Sequence, residues 1–229
     1  MSLRIRDLPS PNQDDRPPDT PIDTLVLHYT GMPTAQDAID RLRDPAARVS
    51  SHYVVEEDGT VWRLVGEGRR AWHAGVSHWR GRTVLNDCSI GVEIVNPGHD
   101  WGYSDFPALQ MAAVCDLCLG VLARNPIPAR NVVAHSDVAP DRKRDPGELF
   151  DWQGLAENGV GLWPGNPDAD QDADDARSML DAIGYRTDLP LDIVLRAFQL
   201  HWWPESVTGL ADRGTLARLA SVTRLCRVA

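Results

Sequence analysis

Three apolar segments of the sequence carry, or end in, a polar residue that a buried strand does not favour. His28 closes the run DTLVLH, Glu93 lies within SIGVEIV, and His135 closes NVVAH. Ligand sites in α/β sheets lie beyond the ends of strands, where the connecting loops meet. Two imidazoles arriving there, joined by a carboxylate from a loop, would form a His-His-Asp set with the layout of a catalytic zinc site.

The loop after His135 has an unusual composition. In SDVAPDRKRDP, Pro140 and Pro146 bracket Lys143 and Asp145. Proline restricts φ, so the two prolines would stiffen the backbone that presents the lysine and the carboxylate. The pattern alone leaves another interpretation open, in which both histidines are core residues hydrogen-bonded to the backbone.

Glu93 also has an alternative interpretation from its position alone. Most strand glutamates reach the protein surface with their carboxylate, or cap a helix, and carry no chemistry.

The overall composition argues against two classes of function. The formal net charge of the 229 residues is -10, and no basic cluster offsets it, so we expect no nucleic-acid partner. No apolar run approaches the roughly 18 to 20 residues of a membrane span. The first residues also lack the apolar core of a secretory leader, so we expect a cytoplasmic protein. A periplasmic location is the alternative if a leader has been removed.

The cysteines do not form the pattern of a disulfide framework. Cys115 and Cys118 make a C-x-x-C pair, but they lie in an apolar helical stretch without a second Cys or His pair at zinc-finger spacing. We therefore interpret them as small core residues.

The elements that must position these residues predict an α/β fold with a central mixed β-sheet flanked by helices. The predicted strands are 23–28, 89–95 and 131–135, together with a hairpin, HYVVEE and TVWRLV, around Asp58-Gly59. The predicted helices are 34–44 and 106–124. Strands interspersed with helices of this length are typical of α/β domains.

The chain divides into four predicted parts. Residues 1–20 are polar and proline-rich and predict an extended N-terminal arm. Residues 21–163 form the α/β domain, and 164–173 are an acidic linker. Residues 174–229 form a small C-terminal three-helix module, with helices at 174–183, 190–202 and 212–227.

Four segments of the sequence carry a family resemblance. They are LHYTG, SSHYVVEEDGTVWRLV, AWHAGVSHWRGRTVLNDCSIGVEIVN and NVVAHSDVAPDRKRDPG. Together, over about residues 5–155, they resemble the zinc-dependent N-acetylmuramoyl-L-alanine amidases of the amidase-2 family, which are relatives of phage lysozyme-type amidases and peptidoglycan recognition proteins. The resemblance implies that residues 21–163 are a zinc amidase domain. It implies that His28, His135 and Asp145 hold Zn²⁺, and that Glu93 and Lys143 are catalytic.

The reaction implied by the resemblance is hydrolysis of the amide between N-acetylmuramic acid, ordinary or 1,6-anhydro, and L-alanine. Zinc lowers the pKa of bound water toward about 7 and polarises the carbonyl. Glu93 would take the proton of the water and pass it to the leaving amine. Lys143 would stabilise the oxyanion. The expected partners are peptidoglycan fragments and muropeptides, in cell-wall turnover or recycling.

Two features qualify the resemblance. Phage members of the family carry a catalytic tyrosine where this sequence has Ser51, so that role is not carried over. Family members that only bind peptidoglycan usually lack the third metal ligand, whereas Asp145 is present here. The alternative function is therefore a peptidoglycan- or muropeptide-binding protein without catalysis, and a third possibility is hydrolysis of a different amide.

The segment RRAWHAGVSHWRG is rich in aromatic residues and arginine. It would suit a groove wall in which aromatic faces meet sugar rings and arginines meet stem-peptide carboxylates. A loop packed over the core is the alternative. The predicted substrate contacts are Trp72, His73, Trp79, Arg80 and Asn86.

The C-terminal segment is similar to the three-helix peptidoglycan-binding module that often accompanies such enzymes. The matching residues are Ala197, Phe198, Gln199, Gly209, Asp212 and Thr215. The resemblance implies a module that holds cell-wall glycan near the catalytic site. The alternative is a helical appendage that only stabilises the main domain.

Overall fold

The computed structural model describes residues 4–165 and 175–228 of the chain. Six of its strands form one sheet: β1 (Ile5–Asp7), β3 (Thr24–Tyr29), β4 (Tyr53–Val55), β5 (Val61–Arg63), β7 (Ser89–Ile94) and β8 (Val132–Ala134). Two further strands, β2 (Gln13–Asp15) and β6 (Arg69–Ala71), pair separately. The larger sheet is mixed, as predicted, with the order β1-β5-β4-β7-β3-β8.

The strand directions decide which residues share an edge of the sheet. Within the six-stranded sheet, β3, β7 and β8 are parallel neighbours, whereas β4 and β5 pair antiparallel around the predicted turn at Asp58-Gly59. His28 is in register with Glu93, and Leu27 is in register with Ala134, the residue before His135. The carboxyl ends of three strands therefore deliver all three predicted residues to one edge of the sheet.

Helices cover both faces of this sheet, and β3 shows why. The helices before the C-terminal region are α1 (Ala35–Arg43), α2 (Gly98–Trp101), α3 (Ala108–Arg124), α4 (His135–Val138) and α5 (Trp152–Glu157). Leu25 and Leu27 of β3 pack in the cluster that contains α3, whereas Val26 packs in a second cluster on the other face. A continuous apolar run is the expected pattern for a strand buried on both faces. The predicted flanked sheet is confirmed.

The C-terminal region contains the three predicted helices: α6 (Ala176–Ile183), α7 (Leu191–Trp202) and α8 (Arg213–Val228). Their apolar residues share one cluster with Val26, Val133 and Val138 of the α/β domain, and α7 packs against α4. The C-terminal helices therefore cover one face of the sheet. Most of the predicted acidic linker, residues 166–173, lies outside the described residues.

Several residues that match the peptidoglycan-binding module hold the connection between α7 and α8. Gln199 is fully buried. Its amide nitrogen donates to Thr215 Oγ1 at 2.9 Å, and its amide oxygen accepts from the Gly209 backbone at 2.7 Å. Asp212 Oδ1 accepts from the Thr215 backbone at 2.8 Å, which caps the first turn of α8. In this chain these residues stabilise the fold of the helices.

The N-terminal segment predicted as an extended arm is extended, but it is integrated into the domain. Strand β1 pairs parallel with β5, and β2 pairs antiparallel with β6. Arg16 donates hydrogen bonds to the backbone carbonyls of Glu67, Asn86, Asp87 and Ser89. The prolines predicted extended backbone, but they carried no information about its pairing partners.

Two smaller predictions also have outcomes. The Cys115–Cys118 pair lies in α3, where Cys118 is fully buried within the core cluster and Cys115 packs against it, and both are free thiols. Within residues 4–165 and 175–228, no helix has both the length and the apolar character needed to cross a membrane.

Candidate active site

The structure brings three side chains from distant parts of the sequence to the carboxyl edge of the sheet. His28 Nδ1 lies 3.2 Å from Asp145 Oδ2, and His135 Nδ1 lies 2.9 Å from the same oxygen. The two Nδ1 atoms are 2.8 Å apart. All three residues are buried. We refer to His28, His135 and Asp145 as the ligand cluster.

The loop that carries Asp145 is fastened to the strand end that carries His135. The Ser136 backbone N–H donates to the Asp145 carbonyl at 3.0 Å. At the start of the loop, the backbone N–H groups of Arg142 and Lys143 both donate to the Ala139 carbonyl at 3.0 Å. These bonds set the position of Asp145 relative to His135 and bring Lys143 close to both.

The hydrogen-bond partner of His135 indicates which of its ring nitrogens faces the cluster as a ligand atom. His135 Nε2 lies 3.4 Å from the Ala74 carbonyl, which can only accept, so Nε2 carries a proton and Nδ1 is the nitrogen available to a ligand. Burial, followed by repulsion from His135, lowers the pKa of His28 to about 4. Burial alone would raise the pKa of Asp145, but His135 and His28 outweigh it and lower that pKa. The ionised carboxylate of Asp145 therefore faces the Nδ1 atoms of both rings.

This donor set fits a divalent cation. The candidate ligand atoms all lie within 4.8 Å of one another. Imidazole nitrogens and a carboxylate oxygen are ordinary ligands for Zn²⁺, and three protein ligands leave a position for water or substrate. A cation would also satisfy acceptor atoms that otherwise face one another inside the protein.

Glu93 stands beside the ligand cluster in a different electrostatic state. Its Oε2 atom is buried and has no hydrogen-bond partner among the residues that the structure describes. Burial, with a further contribution from Asp145, raises the pKa of Glu93 well above its ordinary value, while Lys143 acts in the opposite direction. A carboxyl group that binds a proton this readily, next to one that stays ionised, is suited to general acid–base work.

A cavity of about 320 Å³ opens onto these residues. Glu93, Lys143, His135 and Asp145 line it, with His73 among them. Its wall also includes three arginines, which are Arg41 from α1 and Arg142 and Arg144 from the loop that carries Asp145. The cavity is therefore cationic on part of its wall, although the chain as a whole is acidic.

Two of the predicted substrate contacts lie elsewhere, at the junction with the C-terminal helices. Trp79 is 2% exposed and packs edge-on against Tyr185, with ring centroids 5.1 Å apart. The Arg80 guanidinium donates to the Ile183 carbonyl at 2.6 Å, at the end of α6. Neither residue lines the cavity, and their contacts agree with the alternative interpretation, in which the loop packs over the core, so a contact with substrate stays a prediction.

Of the other three predicted contacts, Trp72 and Asn86 hold the fold together, and His73 lies at the cavity. Trp72 donates from its indole nitrogen to Asp14 Oδ2 at 2.6 Å, which fixes it against β2. Asn86 is buried, and its side-chain oxygen accepts from the backbones of His73 and Ala74, at 3.1 and 2.8 Å. Of the five, His73 alone is both a wall residue of the cavity and a neighbour of His28, at 3.0 Å.

Sequence reasoning missed Asp137, a fully buried carboxylate two residues after His135. Its Oδ2 accepts from the Ala134 backbone at 2.8 Å and meets His201 Nδ1 at 2.6 Å. Its Oδ1 accepts from the Tyr185 hydroxyl at 2.5 Å. The available signal was an acidic residue that, with His135 and Ser136, interrupts the apolar stretch 132–139, but the side-chain partners of Asp137 come from the C-terminal region.

Comparisons with known proteins agree with this geometry. The N-acetylmuramoyl-L-alanine amidase family matches residues 18–148. The N-acetylmuramoyl-L-alanine amidase AmiD of Escherichia coli (strain K12) is 38% identical over 86% of this chain and 80% of its own length. The 1,6-anhydro-N-acetylmuramyl-L-alanine amidase AmpD of Salmonella typhimurium (strain SL1344) is 39% identical over 66% of this chain and 87% of its own length.

Solved structures extend the similarity to the C-terminal helices. The E. coli AmiD structure, in complex with the substrate anhydro-N-acetylmuramic acid-L-Ala-D-gamma-Glu-L-Lys, has a TM-score of 0.80 and 36% identity, and the match covers 91% of both chains. AmpDh3 from Pseudomonas aeruginosa, in complex with anhydromuramic pentapeptide, has a TM-score of 0.81 and 33% identity, covering 89% of this chain and 92% of that one. Matches of this length cannot be confined to residues 4–165. The protein belongs to the N-acetylmuramoyl-L-alanine amidase family.

Proposed function

We propose that this protein is a zinc-dependent amidase that hydrolyses the bond between N-acetylmuramic acid and L-alanine in peptidoglycan fragments. The observation that carries the proposal is the convergence of two imidazoles and a carboxylate beside Glu93, at a cavity that His135, Asp145 and Glu93 line. The substrates bound in the AmiD and AmpDh3 structures contain anhydromuramic acid joined to peptide, which supports the 1,6-anhydro form as a substrate here.

The ligand cluster would hold the ion through His28, His135 and Asp145. Bound Zn²⁺ supplies a Lewis acid that activates water and polarises the substrate carbonyl. The protein's own contribution is to lower the pKa of His28 through burial and to keep Asp145 ionised beside both rings. With its Nε2–H directed to the Ala74 carbonyl, His135 would offer Nδ1 to the ion.

Glu93 would move the proton. Its carboxylate accepts a proton from the attacking water and passes it to the nitrogen of L-alanine as the C–N bond breaks. Because burial already raises the pKa of Glu93, the carboxyl group can hold that proton between the two steps. The orphaned Oε2 atom at the cavity wall is the acceptor that such a role needs.

Lys143 would stabilise the charge that develops on the carbonyl oxygen. It lines the same cavity as Glu93, and the turn at Ala139 fixes its backbone. A positioned cation aimed at a developing oxyanion is worth about a hundred- to a thousand-fold in rate.

The cationic part of the wall suits the anionic stem peptide. Arg41 lies in the last turn of α1. Arg142 is fixed by hydrogen bonds to the Val76 and Ala74 carbonyls, and Arg144 pairs with Asp100 at 3.0 Å. Arginine recognises carboxylates through its planar fork of donors. We expect a substrate whose D-glutamyl carboxylate is amidated to show a higher KM and a nearly unchanged kcat.

The direct test uses a purified anhydromuramoyl-tripeptide and its ordinary muramoyl counterpart. The metal-free protein is prepared with a chelator and assayed before and after addition of one equivalent of Zn²⁺, with release of free tripeptide followed by chromatography. We expect release only in the presence of zinc. Tight binding of the muropeptide without release would support the binding-only alternative, and equal hydrolysis of an acetylated tripeptide without sugar would identify a different amide as the substrate.

The compartment determines which pool of substrate the enzyme meets. A cytoplasmic location would supply soluble muropeptides, including anhydro forms, and a periplasmic one would supply polymeric peptidoglycan. Fractionation of cells producing the native gene product, with marker enzymes for each compartment, distinguishes the two.

The C-terminal helices would hold cell-wall glycan if they act as the module that they resemble. Sedimentation of the Glu93→Gln variant with insoluble peptidoglycan tests this, because that variant should bind without cutting. Binding that free muropeptide displaces completely would assign it to the catalytic cavity instead.

A further inference from the structure

We propose that His73 is a positioning residue for the metal centre, which sets the tautomer of His28 by accepting a hydrogen bond from its Nε2–H. This inference rests on the proposed function, because it concerns the readiness of the ligand cluster to bind an ion. His73 was expected from the sequence to contact substrate, but both of its ring nitrogens are engaged within the protein.

A chain of hydrogen bonds runs from His28 through His73 and Ser89 to the Leu85 carbonyl. The direction of each bond follows from that carbonyl. The Leu85 carbonyl can only accept, so the Ser89 hydroxyl donates to it at 2.6 Å. With its hydrogen committed, Ser89 Oγ accepts from the ring nitrogen 3.0 Å away, which is His73 Nε2. Each contact therefore fixes the polarity of the next.

The remaining nitrogen of His73 must then be an acceptor. The His73 ring is buried, and its two nitrogens contact a hydroxyl and an imidazole rather than a carboxylate, so the ring carries a single proton. That proton is on Nε2, which leaves a lone pair on Nδ1 facing His28 Nε2 at 3.0 Å. His28 must donate from Nε2, and its Nδ1 is left with the lone pair that a cation requires.

The His73 ring cannot easily leave this position. It is 5% exposed, and its backbone N–H is held by the Asn86 side chain at 3.1 Å. The ring also lies against the backbone of Gly91, where an added Cβ would come within 2.4 Å of the His73 ring. Glycine at position 91 is thus required for the ring to reach His28.

Ala74, the residue after His73, orients the other imidazole of the ligand cluster, that of His135. Ala74 presents its carbonyl to His135 Nε2 at 3.4 Å, and the Asn86 side chain that holds His73 also holds the Ala74 backbone at 2.8 Å. Residues 73 and 74 therefore orient both histidines of the ligand cluster. One side chain, Asn86, anchors the pair.

Removing the acceptor should make the wrong tautomer of His28 available. Without the His73 lone pair, a proton on His28 Nε2 is buried and unpaired, which disfavours that tautomer. A proton on Nδ1 instead finds Asp145 Oδ2 at 3.2 Å. Zinc would then have to displace that proton. Loss of such a supporting hydrogen bond typically weakens metal affinity by about 10- to 100-fold.

The experiment compares His73→Phe, which keeps the ring and removes the acceptor, with His73→Asn, whose amide oxygen can still accept. His78→Phe is the matched control, because His78 lies on the same loop but outside the cavity wall. Zinc affinity is measured by competition with a chromogenic chelator. The His28 tautomer is measured in the metal-free proteins from imidazole ¹⁵N chemical shifts, and thermal unfolding confirms that each variant is folded.

We expect about 10- to 100-fold weaker zinc binding in His73→Phe, with the His28 proton moved at least partly to Nδ1. His73→Asn should recover most of the affinity, and His78→Phe should match the parent protein. Parental zinc affinity and an unshifted His28 tautomer in His73→Phe would overturn the proposal. Failure of the parent protein to bind zinc would refute the proposed function instead, while the tautomer measurement would still decide the role of His73.

Discussion

Two buried carboxylate–imidazole clusters lie close together along the segment that follows β8. One is the ligand cluster of His28, His135 and Asp145. The other consists of Asp137, His201 and Tyr185, and we call it the Asp137 cluster. Both contain a buried aspartate within 3 Å of a histidine nitrogen. Residue type and burial therefore do not distinguish them.

The two clusters differ in how donors and acceptors are matched. Asp137 accepts from the Ala134 backbone, from Tyr185 and from His201, so each contact pairs a donor with an acceptor. The His201 ring is also stacked between two tryptophans, with centroids 3.8 Å from Trp152 and 3.9 Å from Trp202. In the ligand cluster, two imidazole nitrogens and a carboxylate oxygen lie within 3.2 Å of one another. Matched donors and acceptors stabilise a fold, whereas three converging ligand atoms fit a cation.

Removal of a ligand should give the largest effect. We expect His28→Ala to lose bound zinc and to fall below the detection limit for amide hydrolysis, because two ligands cannot hold the ion against water. His201→Ala, in the Asp137 cluster, should keep one zinc per folded chain. Elemental analysis measures the zinc content of both variants, and the tripeptide-release assay measures their activity. Stoichiometric zinc in His28→Ala would contradict the assignment of metal binding to this cluster.

Substitution of Glu93 should slow the reaction without changing zinc binding. The Glu93→Gln change keeps the shape of the side chain and removes its ability to carry a proton, so we expect kcat to fall by about 10²- to 10⁴-fold. Zinc content and muropeptide affinity should match the parent protein. A fully active Glu93→Gln enzyme would remove this residue from the mechanism.

Lys143 should contribute to the same reaction by a smaller factor. In Lys143→Met the aliphatic chain is retained and the charge is lost, and we expect kcat to fall by about a hundred- to a thousand-fold. KM should change little if the lysine acts only on the developing oxyanion. A change confined to KM would instead place Lys143 among the groups that bind the substrate before reaction.

The Asp137 cluster should affect stability more than catalysis. We expect Asp137→Asn to lower the free energy of unfolding by about 3–5 kcal/mol, since it breaks a buried charged network. Tyr185→Phe removes one hydrogen bond to that carboxylate and should cost about 1–3 kcal/mol. Denaturant unfolding measures both changes. Loss of zinc from a fully folded Asp137→Asn protein would show that the two clusters are functionally joined.

The sequence was most informative about the residues near the ends of parallel strands, because such strands end at one edge of the sheet. His28, Glu93 and His135 stood out because polar residues interrupted apolar runs, and parallel pairing then brought them together. The family resemblance supplied Asp145 and Lys143, which strand patterns cannot locate because they lie on a loop. The paired strands, the hairpin turn and the long helix α3 followed from periodicity and turn residues.

The surfaces between regions were not predictable in the same way. Trp79 and Arg80 looked like ligand-binding residues, but they contact α6 and the turn after it. No role was predicted for Asp137, although its side chain bonds Tyr185 and His201. A sequence pattern indicates that a side chain is buried, but it does not identify the distant segment that buries it.

Arg16 has a practical consequence for anyone who prepares this enzyme. Its guanidinium donates to the carbonyl oxygens of residues 67, 86, 87 and 89, and the side chains of Asn86 and Ser89 in turn bond His73. A recombinant version trimmed to begin at Pro17, a natural choice because the preceding residues are polar and rich in proline, would leave those oxygens without their donor. Such a truncation should yield a protein that purifies poorly or loses metal on dialysis, whereas a purification tag ahead of Ile5 should be harmless.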